Sequence, residues 1–191
     1  ILINGVDKVY IDNRSGVYKS VKYLIDCGHK NIIYVGVDDK RKLEKERLEG
    51  FKNAFKDLGI KYQDENILLT NDYLFNKGKE LIKNYNNKYG LNNITAIFSA
   101  SEVFTMGIMQ ELYSLNMNIP NEISLISFDD IIASQLSPSI TSVAQPIKRM
   151  GDEAVNLLIR KINNPDLPSK EVSLNTELIY RNSVCNIKQN N

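Results

Sequence analysis

Residues 122–130 read EISLISFDD, a strand-forming run that ends in two adjacent carboxylates, Asp129 and Asp130, before a further apolar stretch, IIAS. A short apolar run bounded by polar residues fits a strand buried on both faces of a sheet. Carboxylates at the tip of such a strand can cap the next helix, bind a metal, perform acid–base chemistry or hold a hydroxyl-bearing ligand. Which of these applies depends on what the rest of the chain builds around the tip.

The neighbouring segments repeat the pattern. KVYID (8–12), NIIYVGV (31–37), NILLT (66–70), ITAIFSA (94–100) and SITSVA (139–144) also read as strands. Between them lie helical stretches. SGVYKSVKYLIDCG carries Val17, Val21, Leu24 and Ile25 at helical spacing, with Ser15 as the expected N-cap and Gly28 as the stop. KLEKERLEGFKNAFKDLG places Leu48, Phe51, Phe55 and Leu58 on one stripe and charges opposite. DYLFNKGKELIKNYNNKYG, SEVFTMGIMQELYSLNM and IKRMGDEAVNLLIRKIN complete the helices, and KEVSLNTELIYRNS reads as two closing extended runs. Regular β–α alternation with short connections predicts an α/β fold, a parallel sheet flanked by helices on both faces. Ligands of such folds bind outside the carboxyl ends of the strands. That rule selects the loops at Val37–Lys40, Thr70–Tyr73, Ser99–Glu102 and Phe128–Asp130, and predicts a polar, acid-lined crevice.

Composition narrows the chemistry. The 191 residues carry 24 basic and 23 acidic side chains, a net charge of +1. A DNA-contacting domain normally shows a basic excess or a basic face. The local cluster DDKRKLEKER interleaves acids with its lysines, as a solvated helix face does. Cys27 and Cys185 lie far apart without metal-ligand spacing, which points to a reduced, cytoplasmic protein while leaving a disulfide open. No apolar run approaches the ~20 residues that span a bilayer. The opening ILINGVDKVYIDN has neither an initiator Met nor the signature of a signal peptide, and reads as the start of a fragment of a longer protein.

The sequence contains no GxxxxGK[ST], no GxGxxG after a strand, no CxxC, no HExxH and no GxSxG. Its single histidine, His29, falls between a helix end and a strand start, where a ring can bond helix-terminal carbonyls. Asp129 and Asp130 are sequence neighbours, so their side chains diverge, whereas paired catalytic carboxylates face each other across a substrate. The expectation is a protein that is not an enzyme and uses neither cofactor nor metal. A carboxylate-dependent sugar enzyme is the distant rival. Sugar hydroxyls are recognised by carboxylates and amides that accept, Arg and Asn that donate, and an aromatic face against C–H patches. The strand-tip loops offer that inventory in Asp129, Ser101, Arg47, Asp72 beside Tyr73, and Gln145.

Several stretches, in order, carry a resemblance. They are YIDNRSG (10–16), LIDCGHKNIIYVG (24–36), ERLEGFKNAFKDLGI (46–60), ITAIFSASEVFTMGIMQEL (94–112), NIPNEISLISFDD (118–130), SPSITSVAQPIKRMGDEAVNLL (137–158) and YRNS (180–183). Over nearly its whole length the chain resembles the effector-binding domain of LacI/GalR-type bacterial transcription regulators. The resemblance implies a type I periplasmic-binding-protein-like fold of two Rossmann-like lobes, one of them incomplete here. It divides the chain into a remnant of the N-terminal lobe (1–28), the C-terminal lobe (29–143), a return segment (144–170) and closing strands with a tail (171–191).

By the same resemblance, Asp129 falls on the acid that holds effector hydroxyls, Arg47 on an effector-contacting arginine, Gln145 on a polar lobe-junction position and Tyr73 on a ring-stacking aromatic. Ser101 and Gln145 are then secondary contacts, Asp72 stays a candidate from the strand-tip inventory, and Asp130 caps or braces the loop. Val103, Met106 and Met109, on a helix with more apolar surface than one core stripe needs, become dimer-interface candidates. The family's usual Asn-Asp pair is here Ser101-Glu102, which implies an altered pocket. The implied function is sensing of a sugar or sugar phosphate by a homodimeric repressor, with lobe closure controlling operator DNA through a helix-turn-helix head outside this chain. No membrane is involved, and weak effector binding is expected of this fragment by itself. The alternative is a periplasmic-type sugar-binding protein for transport, with the same fold.

Overall fold

The computed structural model describes residues 5–39 and 41–190. Lys40, the end of one predicted crevice loop, Ile1–Asn4 of the opening stretch and Asn191 of the closing segment lie outside the described residues.

The strand NIIYVGV forms β2 (Ile32–Val37), and all of its residues are buried. It pairs in parallel with β3 (Ile67–Thr70) on one side and β4 (Ala96–Ser99) on the other. The parallel sheet continues through β5 (Ser124–Phe128) and β6 (Thr141–Ala144), and closes on an antiparallel edge strand, β8 (Glu177–Ile179). The order across this six-stranded sheet is β3-β2-β4-β5-β6-β8.

Helices cover both faces because successive side chains of each strand point to opposite sides. On one face Tyr34, Phe98, Ile126, Phe128 and Val143 pack with Val17, Val21 and Leu24 of α1 (Asn13–Asp26) and with Phe51 and Phe55 of α2 (Lys42–Asp57). On the other, Ile33, Val35, Ile97 and Leu125 pack with Ile82 of α3 (Phe75–Tyr89) and with Phe104, Ile108 and Leu112 of α4 (Glu102–Ser114). Both helix pairs close tightly. A Cβ on Gly50 would lie 2.4 Å from the Arg14 carbonyl oxygen of α1, and one on Gly107 would lie 2.2 Å from that of Phe75 in α3.

A second, two-stranded parallel sheet pairs β1 (Lys8–Ile11) with β7 (Glu171–Leu174), and α5 (Ile147–Asn163) lies against β1. The expected unit 1–28 therefore divides at Asp12: β1 belongs to the small sheet, whereas α1 shares the core of the large one. The stripe on α1 is complementary to the face of the large sheet, and burial of that stripe decides where the helix goes. The chain passes between the two sheets through Asp12, through Gln145–Pro146 with α5 beyond, and through Asn175–Thr176. Two of the expected local signals also differ. Asp12 caps α1, its carboxylate accepting from the Ser15 N–H at 2.9 Å, so Ser15 is inside the helix. The third helix starts at Phe75 rather than near Asp72.

Candidate functional site

The order of strands creates the crevice. From β2 the chain moves outward to β3, then returns across to β4 and proceeds toward β6, so the winding reverses between β2 and β4. Loops that leave adjacent strands toward opposite faces open a gap at their carboxyl ends. Here α2 leaves β2 on one face and α4 leaves β4 on the other.

Arg47, from α2, spans this gap. It is 6% exposed; its Nη1 donates to the Ala100 carbonyl at the tip of β4 (2.7 Å), and its Nε to Asn13 Oδ1 at the start of α1 (3.2 Å). Its guanidinium lies 3.8 Å from the centre of the Phe128 ring at the end of β5. Arg47 thus ties the ends of two strands to the first crossing between the sheets. Asn13 in turn donates to Glu46 Oε2 (3.3 Å) and to the Ile11 carbonyl.

Immediately after Phe128, Asp129 adopts a positive φ of 79° while its N–H still donates to the Val143 carbonyl (3.0 Å). A non-glycine residue in this region is uncommon, and Asp tolerates it better than most. Its carboxylate accepts a hydrogen bond from the Gln145 side-chain amide, so the β5 tip is joined to the second crossing. Asp129, Asp130, Ile131, Ala144, Gln145 and Ile147 line an open cleft of about 290 Å³. Asp130 faces elsewhere. It accepts from Ser142 Oγ (2.6 Å) and pairs with Arg181 at 2.7 Å. Burial acts to raise its pKa, but the Arg181 and Ser142 hydrogen bonds and the Arg181 charge outweigh it and hold the group below its ordinary value.

Ser101 and Glu102 have architectural contacts. Ser101 is the N-cap of α4, its hydroxyl accepting from the Val103 N–H, and it is buried. Glu102 Oε1 accepts from the Ile132 N–H (2.7 Å) and so pins the loop that follows the two aspartates. Tyr73 is not an open stacking surface in this structure. Its ring stacks on Phe104 (5.4 Å, 4° between planes), the Arg41 guanidinium lies 5.2 Å from its centre, and its hydroxyl donates to Glu44. Burial first, then the Glu44 hydrogen bond, push its pKa upward. The Glu44–Tyr73 bond bridges the helical layers of the two faces over the end of the sheet. Asp72 is exposed in the loop before α3.

The structure thus gathers Arg47, Asp129 and Gln145 around Phe128 and the inter-sheet crossings, with Tyr73 in the adjoining wall. It leaves Ser101 in a cap and Asp72 in solvent. Sequence reasoning missed Asn13, Glu44 and Arg181. Asn13 and Arg181 lie within the quoted YIDN and YRNS stretches, whereas Glu44 looks like one more charge on a solvated helix face. A second cleft of about 410 Å³ lies between the small sheet and the start of α2, bordered by Tyr10, Asn13, Arg41 and Glu46.

His29 is buried and structural. Its Nε2 bonds the Cys185 carbonyl of the C-terminal tail (2.9 Å), not the carbonyls of α1, and burial lowers its pKa despite that bond. Cys27 and Cys185 are both free thiols. Among the described residues there is no group of three or more His, Cys, Asp and Glu that could hold a metal, and no helix long and apolar enough to cross a membrane. On α4, Met109 packs on the chain's own core, while Val103 and Met106 are half-buried outside it.

The chain belongs to the periplasmic binding protein-like domain family, matched over residues 21–184. Within that class its relatives are LacI-type regulators, as the quoted motifs led one to expect. It is 33% identical over 180 residues to the HTH-type transcriptional regulator MalR of Clostridium butyricum, covering 94% of this chain and 52% of that protein. It is 30% identical over 179 residues to the HTH-type transcriptional repressor PurR of Vibrio vulnificus, covering 93% and 53%. The chain therefore spans about half the length of these curated relatives. Among solved structures, a sugar-binding LacI-family regulator from Escherichia coli complexed with phosphate superimposes with a TM-score of 0.82 at 27% identity, over 93% of this chain and 63% of that one. A LacI-family regulator from Enterococcus faecium with bound ribose shares the fold with a TM-score of 0.84 at 24% identity, over 95% and 66%.

Proposed function

We propose that this chain is the larger part of the effector-sensing domain of a LacI-type transcriptional repressor, and that a sugar-like small molecule binds in the crevice formed by Arg47, Asp129 and Gln145. The observation that carries this reading is the position of these side chains. Arg47 sits at the switch point of the large sheet, Asp129 and Gln145 at the ends of the next two strands, β5 and β6, and all three are bonded to the segments that cross to the small sheet. A ligand held there touches both sides of the crossings, so it has a different affinity for open and closed arrangements. Only such a difference can shift an equilibrium between them. The regulator names of the relatives favour this reading over transport and over catalysis.

The remaining partners follow as parts of the same proposal. The complete protein works in the cytoplasm as a homodimer and binds operator DNA through a head beyond this chain. Val103 and Met106 of α4 contribute to the dimer contact, with Met109 at its margin. The small sheet with α5 is part of the second lobe. Its uncovered apolar side chains Ile147, Val155, Leu158, Ile159 and Ile162 are then buried by the rest of that lobe, since exposed apolar patches of this kind mark contact surfaces.

The test is thermal unfolding of the complete protein against a panel of sugars and sugar phosphates. A ligand of the native state at a hundredfold excess over its dissociation constant adds ~2.7 kcal/mol of stability. Stabilisation by a member of the panel that disappears in Asp129→Ala supports the reading. A flat panel, or stabilisation unaffected by that substitution, overturns it.

A further inference from the structure

Glu44 is a buried acid that the proposed ligand contacts leave unused. It lies in the first turn of α2, is 2% exposed, and precedes Arg47 by one turn on the same buried face. One carboxylate oxygen, Oε1, accepts from the Tyr73 hydroxyl; the other, Oε2, is buried and has no hydrogen-bond partner among the described residues. Leaving a buried carboxylate oxygen without a donor is costly, so its position beside a buried guanidinium calls for an account. Burial chiefly raises the pKa of both Tyr34 and Tyr73; the Glu44 charge adds to that rise and the Arg47 charge opposes it. The buried acid and the buried guanidinium, one turn apart on the same face of α2, thus offset each other's charge at the end of the sheet.

The other strand-tip acids lack such compensation. Asp129 accepts from the neutral Gln145 amide and Glu102 from a backbone N–H, and neither has an ion-pair partner among the described residues. Asp130, by contrast, is neutralised by Arg181. Arg41, the other guanidinium nearby, lies 5.2 Å from the Tyr73 ring centre but is largely exposed and paired with Asp39. Among the described residues, three carboxylates, Glu44, Glu102 and Asp129, therefore stand against one buried guanidinium, so acceptors and negative charge are in excess. Hydroxyl groups donate to such acceptors, whereas a phosphate dianion offers none of the donors and is repelled in a low-dielectric crevice.

We propose that the crevice selects an uncharged polyhydroxylated ligand over its phosphate ester, and that Glu44 is a specificity-determining residue. This rests on the reading of the crevice as the effector site. The test uses the complete protein and calorimetric titration with matched pairs, D-ribose with D-ribose 5-phosphate and D-glucose with D-glucose 6-phosphate. The expected result is that one uncharged sugar binds at least about tenfold more tightly than its ester. In Glu44→Gln, which keeps an acceptor for Tyr73 and removes the charge, that ratio falls by about tenfold. Equal or tighter binding of the ester by the wild-type protein overturns this proposal alone, as does an unchanged ratio in Glu44→Gln. Where the variant does not fold, the wild-type ratio decides. Binding of neither member of any pair overturns both this proposal and the effector-site reading beneath it.

Discussion

Asp129 and Asp130 show how adjacent identical side chains acquire different partners. The positive φ at Asp129 turns its carboxylate toward Gln145 and the cleft, while Asp130 is drawn to Arg181 and Ser142 at the sheet edge. Nothing in the pair FDD distinguishes them, because the difference is made by β6, the second crossing and Arg181, all distant in sequence. Arg47 was legible as a candidate site residue, but its contacts with Asn13, Ala100 and Phe128 were not. Replacing it with Ala strips donors from two buried acceptors, and we expect a loss of roughly 1–3 kcal/mol of stability, measured by chemical denaturation. His29 gives a pH signature. Its folded-state pKa lies below its ordinary value of 6.5, so the unfolded chain binds the proton more readily. The contribution of the neutral buried ring is therefore complete above about 6.5 and lost as pH falls below it. The midpoint of thermal unfolding should fall between pH 7 and 5, and the slope should be shallower in His29→Gln.

At the scale of elements, most of the fold was legible. The apolar runs NIIYVGV and EISLISF read as doubly covered strands and are buried throughout β2 and β5, and α5 spans Ile147–Asn163, the stretch read as a helix. The misplacements have local causes. Asp12 outcompetes Ser15 as N-cap because its carboxylate reaches the Ser15 N–H, and the α1 stripe fits the large sheet although β1 does not join it. Helix packing yields a direct prediction. A methyl group at Gly107 meets the Phe75 carbonyl oxygen at 2.2 Å, so α3 and α4 must separate. Gly107→Ala should destabilise by about 1–3 kcal/mol, read as a lower denaturant midpoint. The α4 surface gives another: Met106→Glu should shift the complete protein toward monomer in sedimentation velocity, whereas an unchanged dimer would remove this helix from the interface. Glu102 and Ser101 also belong to this scale. Ser101 caps α4 and Glu102 pins the loop beyond Asp130, so both residues hold the strand-tip backbone in place.

For the molecule as a whole, the large sheet carries its own helices on both faces, while the small sheet leaves an apolar side of α5 uncovered. The proposed ligand groups lie next to the segments where the chain crosses between the two, which is where a small molecule can couple the position of one part to the other. That claim is tested most directly by calorimetric titration of the complete protein with the sugar that stabilises it most, comparing wild type with Asp129→Ala. Loss of charge-assisted hydrogen bonds to ligand hydroxyls predicts an affinity lower by about 10- to 100-fold, with the unliganded fold retained. Unchanged affinity in Asp129→Ala would place the effector away from the strand tips and contradict the account.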